Sequence, residues 1–218
     1  MARRFDLLVF DWDGTLLDSV GAIVNAVKAS CRDLGQPEPS DMHARQVIGL
    51  GLVDVLSHSV PGLAEDQFPK MVERYRFHYL SNDHELNLFE GAAELIAKLH
   101  SAGFMLAVAT GKSRNGLNRA LIYSGLGAYF SATRCADECF SKPHPQMLEE
   151  LMDELSVTPE RTLMIGDTTH DLQMAINAGA YGLAVDYGAH SAAALDSLNP
   201  VGRLRSIAEL TEWLDKHA

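Results

Sequence analysis

The chain has 218 residues, 47% of them hydrophobic, and a formal net charge of −11. Such a length and apolar fraction can bury a large core, either as one domain or as one domain carrying an insertion, which argues against a disordered chain. The acidic balance, with no long basic block to replace phosphate counterions, argues equally against a general nucleic-acid binder.

No apolar run approaches the ~20 residues of a membrane span. Asp6 and Asp11 interrupt the stretch behind the basic start, so neither an anchor nor a signal peptide is expected. The three cysteines, Cys31, Cys135 and Cys139, are odd in number, and the C-x3-C spacing has no second pair to match it. Reduced thiols in a cytoplasmic protein are therefore expected, without disulfide or zinc.

The first element is the oily run Leu7 to Phe10, which leads straight into Asp11-Trp12-Asp13-Gly14-Thr15. Asp-Gly often closes a hairpin, but a hairpin leaves Asp11 without a purpose. On an extended chain Asp11 and Asp13 share one side and Trp12 takes the other. Gly14 then lets the backbone turn sharply.

From about Leu17 to Asn87 no comparable strand run occurs, and the pattern is one of consecutive helices. Val20, Ile23, Val24, Val27, Cys31 and Leu34 form one apolar stripe, ended by Gly35 and Pro37. Further helices are expected over about 40–47, 52–59 and 65–80, punctuated by "IGLGL" and "PGL". This insert departs directly after the paired acids and returns near Leu88, so it should sit above the strand that carries them.

Beyond it, Ala92, Leu95, Ile96 and Leu99 recur at helical spacing until Gly103 stops the helix. Apolar runs follow at 104–109, closed by Thr110-Gly111-Lys112, at 162–165, closed by Gly166-Asp167, and at 180–185. Between them Lys142 opens "KPHPQMLEELMDEL", where Pro143 is expected to mark the start of a helix. Runs apolar on both faces suit parallel strands covered by helices. The expected architecture is an α/β, doubly wound, Rossmann-like parallel sheet core (1–16 and 88–218) with an inserted α-helical cap domain (17–87).

Ligands of open parallel sheets bind beyond the carboxyl ends of the strands, where Asp11, Asp13 and Asp167 should gather. Carboxylates held together repel unless a cation lies between them, and Mg2+ is the natural hard cation for a few carboxylates plus a substrate phosphate. Singly, each residue has a plainer explanation. Asp167 suits the N-cap of the helix that begins there, although Thr168 or Thr169 would serve as well; Thr110 suits a strand end, and Lys142 a solvated surface charge.

Taken in order, "DWDGTLLDS", "VATGK", "KPHP" and "IGDTTHD" resemble the four motifs of the haloacid dehalogenase-like hydrolase superfamily. The insert is placed like the helical cap of its phosphoglycolate phosphatase-like branch. The resemblance implies that Asp11 is the nucleophile that forms an aspartyl-phosphate, and that Asp13 is the general acid and then the base. It implies that Thr110 and the Gly111 amide hold phosphate oxygens, and that Lys142 neutralises nucleophile and phosphate. It implies Mg2+ on the Asp11 carboxylate, the Asp13 carbonyl and Asp167, with Asp171 in a supporting position.

Asp13 argues against a dehalogenase, which lacks the second acid, and neither Lys28 nor Lys70 has the context of a phosphonatase lysine. A sugar-phosphate mutase of the β-phosphoglucomutase type is the enzymatic rival, and a phosphorylated regulatory module the rival of another class. Gly49 and Gly51 in "VIGLGL" resemble the phosphatase cap loop more than the mutase loop. The expected function is hydrolysis of a small phosphorylated substrate, with no nucleic-acid or membrane partner. Arg45, or Arg74 or Arg76, is a candidate contact for an anionic ester such as 2-phosphoglycolate, with Gly49 and Gly51 beside it. His43, His58, His78 and His84 lack metal-ligand spacing and are expected to be surface or packing residues.

Overall fold

The computed structural model describes residues 3–81, 83 and 86–218. His84 lies outside them. Strands β1 (Leu7–Phe10), β2 (Met105–Thr110), β3 (Ala132–Cys135), β4 (Thr162–Gly166), β5 (Tyr181–Val185) and β6 (Arg203–Leu204) form one sheet in the order β3-β2-β1-β4-β5-β6. Every pairing in it is parallel.

The four central strands fall within a residue of the expected runs, because each is apolar on both faces and therefore stands out. Leu8 and Phe10 point to one side, where they meet Leu106, Leu163 and helices α5 (Ala92–Ser101) and α10 (Ile207–His217). Leu7 and Val9 point to the other, against α7 (Gln146–Leu155) and α8 (Thr169–Asn177); the chain also forms α6 (Arg114–Ser124) after β2 and α9 (Ala192–Asp196) after β5. The edge strands β3 and β6 were not anticipated. β3 reads Ala-Thr-Arg-Cys with its two middle residues only partly buried, and β6 has two residues, so neither carries an unbroken apolar run.

Pro143 does not start a helix. α7 begins at Gln146, after Pro145, and a turn closes from His144 N–H to the Ser141 carbonyl at 3.1 Å. The reason is local: Pro145 disfavours helical backbone at His144, so residues 143–145 cannot form one helical turn.

Between β1 and α5 the chain forms α1 (Val20–Asp33), α2 (Asp41–Gln46), α3 (Leu52–Ser59) and α4 (Phe68–Leu80), with a short 3₁₀ turn at Glu65–Gln67. The α1 stripe packs as its spacing predicts. Val27 and Cys31 bury with Leu56 and Met71, and Val20, Ile23 and Val24 with Ala44 and Tyr79. The outgoing and returning chains run side by side, with Leu17 and Leu88 in an antiparallel bridge and Asp18 N–H bonded to the Asn87 carbonyl at 3.0 Å. Among the described residues, no helix is long and apolar enough to cross a membrane.

Strands β1, β2 and β3 wind to one side of the sheet, and β4, β5 and β6 to the other. The reversal falls between β1 and β4, where a crevice opens beyond the strand ends. Asp11 and Asp167 follow those two strands directly.

Candidate active site

Asp11 is fixed by its backbone, whose N–H donates to the Ile165 carbonyl of β4 at 2.9 Å. Its side chain is buried; Oδ1 accepts the Trp12 N–H at 2.7 Å and lies 3.0 Å from Lys142 Nζ. Trp12 turns the opposite way, into the core, edge-on to Phe130. Gly14 turns the chain at φ +81°, and a Cβ there would stand 2.2 Å from Asp167 Oδ2. Only glycine satisfies both conditions.

Asp167 is wholly buried and accepts two hydrogen bonds, from Thr15 Oγ1 at 2.8 Å and from the Ala189 N–H at 2.7 Å. It does not cap α8. Thr168 does, accepting the Asp171 N–H at 3.3 Å, while Asp171 Oδ2 accepts the Thr168 N–H at 3.1 Å and hydroxyl at 2.6 Å. That capping box leaves Asp171 Oδ1 to meet Lys142 Nζ at 2.6 Å. Lys142 is therefore a buried cation rather than a surface charge.

Asp11, Asp167 and Asp171 thus each offer an oxygen within 4.8 Å of the others. Three carboxylates with one ammonium leave a formal excess of two negative charges in a buried space. Burial pushes the Asp11 carboxyl well above its usual range; Lys142 opposes this, and Asp171, Asp167 and Asp13 reinforce it. Burial and Asp171 push Asp167 up to about 7. Asp11 Oδ2 is buried without a hydrogen-bond partner among the described residues. An orphaned carboxylate oxygen in an over-charged, all-oxygen cluster is the donor set that a divalent hard cation satisfies.

Asp13 stands apart from this cluster. Its carboxylate accepts Ser19 Oγ at 2.6 Å and Lys112 Nζ at 2.9 and 3.0 Å. Lys112 also donates to the Tyr79 hydroxyl of α4 at 2.9 Å, so one ammonium ties the acid to the overlying helices. Sequence reasoning passed over Lys112, although its place directly behind Thr110-Gly111 was a usable signal.

Thr110 is buried and its Oγ1 accepts the Lys112 N–H at 3.2 Å, which leaves its own proton free to donate. Gly111 is pressed against the "IGLGL" loop. A Cβ at 111 would lie 2.3 Å from the Leu50 carbonyl oxygen and 2.7 Å from that of Gly49. Gly49 in turn packs on Thr168, and the Gly51 N–H donates to Ser141 Oγ at 2.9 Å.

A cavity of about 610 Å³ opens between this loop, α3 and α4 above and the strand ends below. Asp11, Asp13, Thr110, Gly111 and Lys112 line its floor, and Gly49, Gly51 and Arg76 its roof. Arg45 lies elsewhere, donating to the Gly188 carbonyl at 3.3 Å. Arg74 turns to Asp33 at 2.5 Å. His43, His58 and His78 bond locally within the α1–α4 region.

Two histidines that sequence reasoning did not single out join the halves instead. The Nε2–H groups of His170 and His190 both donate to the Gln46 carbonyl, at 3.0 and 3.2 Å, while His190 Nδ1 accepts the Thr169 N–H at 3.0 Å. That Nδ1 acceptance assigns His190 as the Nε2–H tautomer.

This sheet, its acids at the switch point and its helical insertion are the architecture of the haloacid dehalogenase-like hydrolases. The sequence model of that family matches residues 8–185, and the chain belongs to it. It is a phosphoric monoester hydrolase of this superfamily. It is similar to the probable phosphatase IndB of Dickeya dadantii, 35% identical over 89% of this chain and 86% of that protein. It is also similar to a phosphoglycolate phosphatase of Vibrio parahaemolyticus, 33% identical over 94% of both. It shares its fold with the crystal structure of a predicted phosphoglycolate phosphatase from Haemophilus somnus (TM-score 0.87, 23% identity, 97% and 99% of the two chains).

Proposed function

We propose that the protein is a Mg2+-dependent phosphatase that hydrolyses small phosphomonoesters through an aspartyl-phosphate on Asp11. The observation that carries this is Asp11 Oδ2, a buried carboxylate oxygen at the cavity floor with no hydrogen-bond partner among the described residues. Asp11 attacks phosphorus, forming the acyl-phosphate bond as the ester P–O bond breaks, and Asp13 gives its proton to the departing oxygen. Asp13 then takes a proton from the water that attacks the same phosphorus, releasing phosphate and restoring Asp11. Thr110 Oγ1 and the Gly111 amide hold non-bridging oxygens, and Lys142 cancels charge behind the nucleophile. Asp11, Asp167 and the Asp13 carbonyl would hold Mg2+, with Asp171 in support, and the bound ion supplies the positive charge that lets a carboxylate approach a phosphate dianion.

In this reading residues 17–87 act as a cap on a core of 1–16 and 88–218, closing over the ester and excluding water. The names of the phosphoglycolate phosphatase relatives make 2-phosphoglycolate the first ester to try. The test is phosphate release from 2-phosphoglycolate, sugar phosphates and pyrophosphate, in Mg2+ and in EDTA. Release is expected in Mg2+ alone, and Asp11→Asn is expected to abolish it with the circular dichroism spectrum unchanged. Near-wild-type turnover by that variant would remove the mechanism, and isomerised sugar phosphate in place of free phosphate would identify a mutase.

A further inference from the structure

We infer that the preferred substrate is a phosphomonoester whose leaving alcohol has an apolar body and ends in a second anion, and that Arg76 receives that anion. The inference rests on the phosphatase reading and narrows it.

Size is the first argument. A cavity of about 610 Å³ lies within the range that holds drug-sized ligands, and a two-carbon ester leaves most of it unfilled. Its walls state what the remainder suits. Val72, Tyr75, Arg76 and Tyr79 recur at i, i+3, i+4 and i+7, so one face of α4 lines the cavity. The Tyr75 and Tyr79 rings stack with centroids 5.8 Å apart, and Leu52, Val53 and Phe140 contribute further apolar surface.

Charge is the second argument. Among the described residues Lys112, Arg119 and Arg76 are the lysines and arginines that line the cavity, and two are spoken for: Lys112 pairs with Asp13 at 2.9 Å and Arg119 with Asp83 at 3.2 Å. Arg76 has no acidic partner among the described residues, in a chain with 29 acids and 18 lysines and arginines. Arg74, two positions earlier on α4, has found Asp33. Of the lining acids other than Asp11 and Asp13, Asp54 lies in the first turn of α3, where a carboxylate complements the helix N-terminus, and Asp137 accepts the Arg114 N–H at 2.8 Å.

Placement completes the case. The Tyr79 hydroxyl reaches Lys112 and through it Asp13, which marks the phosphoryl end. Arg76 stands nearly one turn back along the same face, about 4.5 Å along the axis. An ester spanning the two has its apolar part against the tyrosines and α3.

The experiment compares kcat/KM for 4-carboxyphenyl phosphate, phenyl phosphate and 2-phosphoglycolate in the wild type, Arg76→Ala and Arg76→Lys, all in Mg2+. The wild type is expected to prefer the carboxylated aryl ester over phenyl phosphate by about ten-fold, a charged hydrogen bond's worth, and to prefer it also over 2-phosphoglycolate. Arg76→Ala should bring the aryl ratio close to one, chiefly through KM, and Arg76→Lys should restore part of it. A ratio unchanged by Arg76→Ala, or a wild-type preference for 2-phosphoglycolate, overturns the inference while phosphate is still released. Absence of release from every ester overturns the phosphatase reading itself.

Discussion

Lys142 shows how much one side chain does at this site. Its ammonium lies 3.0 Å from Asp11 Oδ1 and 2.6 Å from Asp171 Oδ1, with all three side chains buried. Burial alone would lower its pKa, but Asp11 and Asp171 outweigh burial and raise it, so it stays charged. Removing one member of a buried ion cluster strands the others, a loss of about 3–5 kcal/mol. Lys142→Met is accordingly expected to lower unfolding stability in urea by about 3 kcal/mol at alkaline pH in EDTA, with part recovered in Mg2+, since an ion that binds only the folded state stabilises it. An unchanged urea midpoint would show that the acids do not depend on this cation. The shared direction of Asp11 and Asp13 was legible from the two-residue repeat of an extended chain. Their different fates, one in a carboxylate cluster and one on Lys112, were not, because the partners arrive from other strands.

At the level of elements, helix and strand positions followed from local periodicity for the central strands, α1 to α5 and α8, but not for α10, which the sequence reading did not single out although its Ile207, Leu210 and Leu214 are buried. Positions were also missed where burial was partial, as in β3 and β6, or where two prolines competed, as before α7. The α1–α4 pair carries a test. Asp33, the last residue of α1, accepts from His78 Nε2 at 2.7 Å and Arg74 Nε at 2.5 Å, two residues one turn apart on α4. The His78 and Arg74 hydrogen bonds hold its carboxyl below the usual range. A carboxylate depressed on folding contributes stability above its unfolded value of 3.8, and that contribution is lost as pH falls through the lower folded value. Asp33 is about a third exposed, so the effect is small. Asp33→Asn should melt slightly below the wild type at neutral pH, and the two curves should converge in strong acid, once the pH has fallen through the lowered folded value. A gap that persists in strong acid would mean that the carboxylate charge is not what joins these helices.

At the scale of the whole molecule the helical insertion meets the strand ends, and Gly111 is a point of close approach. Any side chain there meets the Leu50 and Gly49 carbonyls. Gly111→Val is expected to hold the loop away from the floor, reducing kcat/KM by about ten-fold or more, as misplaced lids do. Amide hydrogen exchange at 49–51 should quicken while the sheet keeps its protection. Unaltered exchange in that loop would show that the contact does not set closure.

Within one stretch of chain, hydrophobic periodicity and turn chemistry were sufficient to determine the central strands, most of the helices, the place of the insertion and the acids that close β1 and β4. These signals are local, and a one-dimensional string records them directly. Only the tertiary structure decided that Lys142 and Asp171 are buried with Asp11, that Lys112 holds Asp13, that His170 and His190 meet at Gln46, and that Arg76 rather than Arg45 lines the cavity. Each of those depends on which distant groups a side chain meets once the sheet reverses between β1 and β4, and on how far water is excluded there.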